Sequence, residues 1–337
     1  MEQNINWREE LLASCSFNNK FENLPDYILK ITHQIWEEKD VNSIMEYYAE
    51  NIPVRSPMGI IYGPNTVVDA TNATLDEFPD RQLLGEDVIW IGNEDEGFLS
   101  SHRILSKATH VKDGLYGKAT NKKLVYRVIA DCACKNNQVY DEWLVRDQGA
   151  IVRQLEIDPK KYAAILIKQE GGIKNCIKPF DKNSSQESSY TPPILSKNNI
   201  ADQYAENLEN ILNINSKSTI EKNYDRSVQQ FQPGGFVCYG IDDVTNFWLN
   251  LRQSFPDALF RIEHKSFTVE ENQPKKVAIR WSLVGKHSGN GIFGQASNSE
   301  IYIMGINHAE IGPRGIKNEW VLFDETAIWK QILIKTG

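Results

Sequence analysis

The sequence predicts two α+β units in tandem, and three observations predict it. The first is an internal repeat. Sliding the chain against itself by 177 positions, without a gap, lays Tyr62-Gly63 on Tyr239-Gly240 and Phe78-Pro79-Asp80 on Phe255-Pro256-Asp257. The same shift lays His110 on His287, Gly114 and Gly117 on Gly291 and Gly294, Asn121 on Asn298, Glu142-Trp143 on Glu319-Trp320, and Asp147 on Asp324. A solenoid repeat needs about 20–50 residues per unit, so a period this long is a duplicated domain. The second observation is texture, because each unit reads as helices followed by a run of strands. The third is a polar stretch with little apolar content between the units, carrying Gly171-Gly172, Ser184-Ser185, Ser188-Ser189 and Pro192-Pro193. The expected division is 1–168 for the first domain, 169–198 for a flexible linker and 199–337 for the second domain.

The elements follow in order. Residues 1–24 are a polar lead-in with one apolar cluster, Leu11-Leu12-Ala13. From Asp26, the apolar positions Ile28, Ile31, Ile35 and Trp36 recur at helical spacing. Asp40 and Asn42-Ser43 break that pattern and cap a second, short helix through Ile44, Met45, Tyr47 and Tyr48. Pro53 and Ser56-Pro57 force extended chain. A third helix starts after Gly63-Pro64 and runs to Phe78-Pro79. Strands are expected over Asp87–Ile91, Phe98–His110, Lys123–Cys134 and Val139–Arg146, separated by turn residues such as Asp113-Gly114 and Asn136-Asn137. A closing helix runs through Tyr162 and Ile165. The second unit repeats this plan from Asn199, with Tyr204, Leu208, Ile211 and Leu212 as its first helical stripe.

Bulk composition excludes several classes. The 337 residues are 41% hydrophobic and 24% charged, as in ordinary globular proteins. A net charge of −8 argues against general affinity for nucleic acid, which needs a basic surface. No apolar run approaches the 18 or so residues of a membrane span, and Met1-Glu2-Gln3-Asn4 does not open a secretory signal. The expectation is a cytoplasmic protein with no membrane partner. Cys132-Ala133-Cys134 lacks a second Cys/His pair to complete a zinc site, so structural packing is the reading there and no metal is expected. No phosphate loop, dinucleotide fingerprint, nucleophile elbow or zincin motif is present.

The second unit contains His287-Ser288-Gly289-Asn290-Gly291-Ile292-Phe293-Gly294, then Gly305 on the next strand, then Asn318-Glu319-Trp320-Val321-Leu322-Phe323-Asp324. The first unit keeps a worn version in His110, Gly114, Tyr116, Gly117, Glu142, Trp143 and Asp147. These residues resemble the SnoaL-like polyketide cyclase or ester cyclase family, of the nuclear transport factor 2-like fold. The resemblance implies two tandem cone-shaped domains, each a curved antiparallel sheet wrapped on helices around a pocket. It also implies an acid/base aspartate directly after the tryptophan of the last strand. Here those positions hold Leu144 and Val321, so the family mechanism does not carry over at that position in either unit.

Alternation on the strands fits such a cone. Tyr126, Val128, Ala130 and Cys132 form one apolar set, with Arg127 and Asp131 on the opposite face. In the second unit the opposite face carries Tyr302, Met304 and Ile306. An apolar outer face wants a partner, so the two units, or two chains, are expected to pack there.

The best substitute for the missing acid is in the first unit. Glu142 shares a strand face with Leu144, and His102, Ser106 and His110 share a face of the long strand Phe98–His110. A histidine and a buried carboxylate are the usual parts of general acid–base catalysis. The alternative is that Glu142 pairs with a backbone group or an arginine and His102 is packed. His110 and His287 sit beside turns and either shape them or reach a ligand. Tyr62 and Tyr239 rim the pocket or pack. Tyr126, Trp281, Asn307 and Glu319 are the remaining candidate ligand contacts. Trp281 replaces Ile104 and Asn307 replaces Ala130, so the second pocket has a different shape. The leading expectation is a pocket protein for a small apolar metabolite, cofactor-free if catalytic, with Glu142 and His102 in acid–base roles. Its rival is a non-catalytic module in which both cones serve binding or assembly.

Overall fold

The computed structural model describes residues 20–184, 188, 190–192 and 199–337. The Leu11-Leu12-Ala13 cluster, Cys15, Pro193 and several of the linker serines lie outside the described residues.

Helix α1 (Leu24–Trp36) starts where Asn23 accepts a hydrogen bond from the Asp26 amide and Pro25 occupies the first turn. It buries Leu24, Tyr27, Ile28, Ile31 and Ile35. A 3-10 turn (Val41–Ser43) and the short α2 (Ile44–Tyr47) lead to the hairpin β1 (Pro53–Ser56) and β2 (Gly59–Tyr62). Helix α3 (Pro64–Glu77) follows, then four long strands: β3 (Gln82–Asn93), β4 (Gly97–Thr109), β5 (Lys123–Lys135) and β6 (Gln138–Arg146). Helices α4 (Gln148–Gln154) and α5 (Pro159–Gln169) close the unit. The second unit repeats the plan with α6 (Ile200–Ile214), α7 (Lys217–Asn223), β7 (Tyr224–Gln232), β8 (Phe236–Tyr239), α8 (Gly240–Ser254), β9 (Leu259–Thr268), β10 (Lys275–Lys286), β11 (Glu300–Gly312), β12 (Gly315–Phe323) and α9 (Glu325–Thr336).

The two sheets have the same topology, β2-β1-β6-β5-β4-β3 and β8-β7-β12-β11-β10-β9. Both are antiparallel except where β1 meets β6 and β7 meets β12, which run parallel. Bulges at Gly85/Asp87 and Ala133/Cys134 in one sheet, and at Arg280/Trp281 and Glu310/Ile311 in the other, bend the strands around their helices. These are two tandem α+β cones.

The outer faces of the two sheets form one apolar cluster. Leu99, Ile129, Ala133, Trp143 and Val145 of the first unit meet Tyr302, Met304, Ile306 and Leu322 of the second. Phe180 and Tyr190, from the chain between the units, are buried in the same cluster.

The arginine contacts across this face come in pairs related by the 177-residue shift. Arg280 lies 3.6 Å over the ring of Trp143, and Arg103 lies 3.6 Å over that of Trp320. Arg280 donates to Asp131 at 3.1 Å, and Arg103 donates to His308, the equivalent of Asp131, at 3.2 Å. Residue i touching j while the copy of j touches the copy of i marks an isologous, two-fold interface. His308 accepts from a guanidinium at Nδ1, so its proton sits on Nε2 and is donated to Ser101 at 2.8 Å. Burial, then Arg103, holds His308 well below the ordinary histidine range.

Candidate functional site

The inner face of the first sheet is ruled by its register. Ser100, Cys132 and Glu142 lie side by side on β4, β5 and β6; His102, Ala130 and Leu144 form the next row; Ile104, Val128 and Arg146 form the third. Helices α1 and α3 cover these rows, and between them lies a cavity of about 240 Å³. Glu142, His102, Leu144, Arg146 and, from the loop after α3, Arg81 all line it. An apolar cavity of about 150 Å³ holds a benzene ring, so this one has room for one or two rings.

Four buried polar atoms of the lining have no hydrogen-bond partner among the described residues: Glu142 Oε2, His102 Nε2, Arg81 Nη1 and Arg146 Nε. Native proteins satisfy most such atoms, so four on residues around one cavity make it the candidate site. Burial drives the Glu142 carboxyl up to about 7, opposed by the hydrogen bond from Tyr48. Burial, then Arg103, lowers His102 to about 4, which leaves its imidazole neutral at pH 7. Gly85, at a bulge in β3, makes room for that ring: a Cβ there would stand 3.0 Å from His102 Nε2. Burial raises the Cys132 and Cys134 thiols, so both stay protonated and inert.

The second unit places different residues at the same positions. Trp281, Asn307 and Glu319 stand where the first has Ile104, Ala130 and Glu142, and all three are fully buried. Trp281 donates to Asn307 Oδ1 at 2.8 Å, and Asn307 Nδ2 donates to the Tyr204 hydroxyl at 3.0 Å. Glu319 accepts from Tyr204 at 2.6 Å, from Tyr224 at 2.8 Å and from Gln230 at 2.6 Å. The corresponding tyrosines of the first unit turn elsewhere: Tyr27 bonds the Asn137 carbonyl and Tyr47 bonds Gln34. The residue paired with Glu142 on β1 is Val54, where the second unit has Gln230 beside Glu319. One carboxyl is thus locked in a closed network and its copy keeps a free oxygen at a cavity.

Residues 202–332 match the family described as SnoaL-like polyketide cyclase. The second unit is similar to that family over nearly its whole length. Solved structures similar to this chain include IdmH from Streptomyces antibioticus, at 15% identity over 40% of this chain and 98% of IdmH, with a TM-score of 0.34. A SnoaL-like polyketide cyclase from Agrobacterium tumefaciens C58 is 15% identical over 39% of this chain and 96% of its own, with a TM-score of 0.33. TsrD from Streptomyces laurentii is 14% identical over 38% and 94%, with a TM-score of 0.34. No curated protein matches the chain.

In the second unit, His287 sits at the head of the glycine turn and its Nδ1 lies 3.0 Å from Ser297 Oγ. His110 repeats this with Thr120 at 3.1 Å and adds a contact from Nε2 to Glu77 at 3.1 Å. Both histidines hold turns closed by reciprocal backbone bonds, Gly114 with Gly117 and Gly291 with Gly294. Tyr62 and Tyr239 are 58% and 65% exposed and stand outside the cavity. Tyr126 is buried beside it, with Arg81 6.0 Å over its ring.

Sequence reasoning missed Arg81, Arg146 and Tyr48. A signal existed for the first two. Arg81 aligns with Ala258 and Arg146 with Phe323, while His102 aligns with Ile279. Each is a polar side chain in the first copy and an apolar one in the second. Among the described residues, no group of His, Cys, Asp and Glu could hold a metal ion, and no helix is long and apolar enough to cross a membrane.

Proposed function

We propose that the first unit is a small-molecule pocket working by acid–base chemistry through Glu142 and His102, and that the second unit is its structural partner. The supporting observation is that Glu142 Oε2 and His102 Nε2, both buried and without partners, line one cavity. A carboxyl with a pKa near 7 is divided between acid and base at neutral pH, which suits proton transfer to and from a bound carbon or oxygen acid. Leu144 occupies the row between Glu142 and Arg146, at the position that holds the family's aspartate, so the acid function is displaced by one row along the same strand face. In this reading Glu142 Oε2 takes the proton, His102 supplies or accepts a hydrogen bond at the adjacent row, and the same carboxyl returns the proton. The occupant is a small, mainly apolar metabolite, because apolar side chains, among them Ile104, Val128, Leu144 and Trp36, supply most of the walls.

The second unit itself supplies the test. Replacing Ile104, Val128 and Ala130 by Trp, Gly and Asn transplants the filling of the second unit into the first. A thermal-shift screen should find small apolar compounds that raise the melting temperature of the native chain, and the transplanted chain should lose those shifts. Shifts that survive the transplant would place binding elsewhere. For any turnover found, Glu142→Gln should abolish it while the fold is kept; unchanged turnover removes Glu142 from the mechanism.

A further inference from the structure

The two arginines of the cavity lack the partners that buried arginines have elsewhere in this molecule. Arg55 pairs with Asp141, Arg103 with Glu86 and Arg280 with Asp131. Arg81 and Arg146 pair with no carboxylate among the described residues. Arg81 is 3% exposed; its Nε donates to Ser106 at 3.2 Å and its guanidinium stacks 4.4 Å over Trp36, which leaves Nη1 free at the cavity. Arg146 offers Nε, likewise buried and free. The acidic groups coupled to both are phenols, those of Tyr116 and Tyr126.

A buried charge is stable only when paired or hydrogen-bonded, so two guanidiniums beside one cavity are poised for an anion. A planar guanidinium fork matches a carboxylate. The positions also have a direction. Arg146 follows Glu142 by four residues on β6, about 13 Å along the strand, with Leu144 and His102 in the row between. We infer that the cavity selects an organic acid, whose carboxylate is held at the Arg81–Arg146 end while its apolar body extends toward His102 and Glu142. This rests on the pocket reading above and adds to it the charge of the occupant and its orientation. The second copy has Ala258 and Phe323 at these positions and lacks the cationic end.

The experiment is calorimetric titration of the full chain at pH 7 with 2-naphthoate and with its neutral isostere 2-naphthamide. The acid is expected to bind at least tenfold more tightly than the amide. Arg81→Met and Arg146→Met should each reduce that preference while keeping the amide affinity, and Arg81→Lys should keep part of it. Equal affinity of acid and amide overturns the organic-acid inference and leaves the pocket reading standing. A preference untouched by both arginine variants also overturns it, because the acid is then bound elsewhere. Binding of neither probe counts against both readings. Should the Met variants fail to fold, the wild-type ratio of acid to amide affinity decides.

Discussion

The indole of Trp281 lies against Gly305 on the neighbouring strand, and a Cβ on that glycine would stand 2.1 Å from a ring carbon. The missing side chain of Gly305 is the space the indole fills. The first unit has Ile104 and Val128 at the same two positions, and there a cavity opens.

Gly305→Val should therefore destabilise the second unit by about 1–3 kcal/mol or more through overpacking. Trp281→Ile should cost about 3 kcal/mol by leaving a void and an unpaired Asn307 Oδ1. The double variant restores the combination found in the first unit and should cost less than the sum of the two. Denaturant midpoints of the four proteins measure the coupling; strict additivity would show that the two residues do not share this space.

The stability of the native chain should carry the signature of Glu142. Its folded pKa of about 7 is above the ordinary 4.5. A raised carboxyl stabilises the fold below about pH 4.5, and that contribution is lost as pH climbs to 7. Glu142→Gln has no such loss, so its stability relative to wild type should grow by about 3 kcal/mol between pH 4.5 and 7. His102, lowered to about 4, acts in the opposite sense, with stability lost as pH falls from 6.5 toward 4, and it is common to both proteins. Unfolding free energies measured across this range provide the check, and a flat difference would mean that Glu142 is not raised.

At the contact between units, Asp131→Ala strands the buried Arg280 guanidinium. The cost should be about 3–5 kcal/mol, the penalty of an unpaired buried charge. Adding Arg280→Met should recover part of that loss. If the double variant is as unstable as the sum of the singles, the pair contributes by packing alone.

Glu77 accepts hydrogen bonds from the amides of Leu115 and Tyr116 and contacts His110. Glu77→Ala should cost about 1–3 kcal/mol by leaving the buried Tyr116 amide unpaired and freeing that of Leu115. Hydrogen exchange at Leu115 and Tyr116 should accelerate while exchange in the second unit is unchanged.

Much of the fold was legible in the sequence because the repeat preserved residues with backbone duties: the glycines of the turn, the histidine above them and the aspartate capping the following helix. Asp147 and Asp324 both serve as N-caps, accepting from Ala150 in one unit and from Thr326 and Ala327 in the other. The candidate site was only partly legible. Glu142 and His102 stood out as titratable groups on an apolar face, and the register places them one row apart. Arg81 and Arg146 did not stand out, because an arginine after a turn or at a strand end reads as a solvated charge. The burial of Arg81 depends on Trp36 and Tyr126 approaching from distant parts of the chain. Tyr62 and Tyr239 recur beside a glycine that starts a helix, and repetition there follows the turn, since both rings point to solvent.

The mirrored arginine–tryptophan contacts have a further consequence. In an assembly of identical subunits every substitution is felt twice, so neither cup can close without closing the other. Joined in one polypeptide, the halves are free to diverge. One half has filled its cup with Trp281 and tied down Glu319, and the other keeps an open cup lined by Glu142, His102, Arg81 and Arg146.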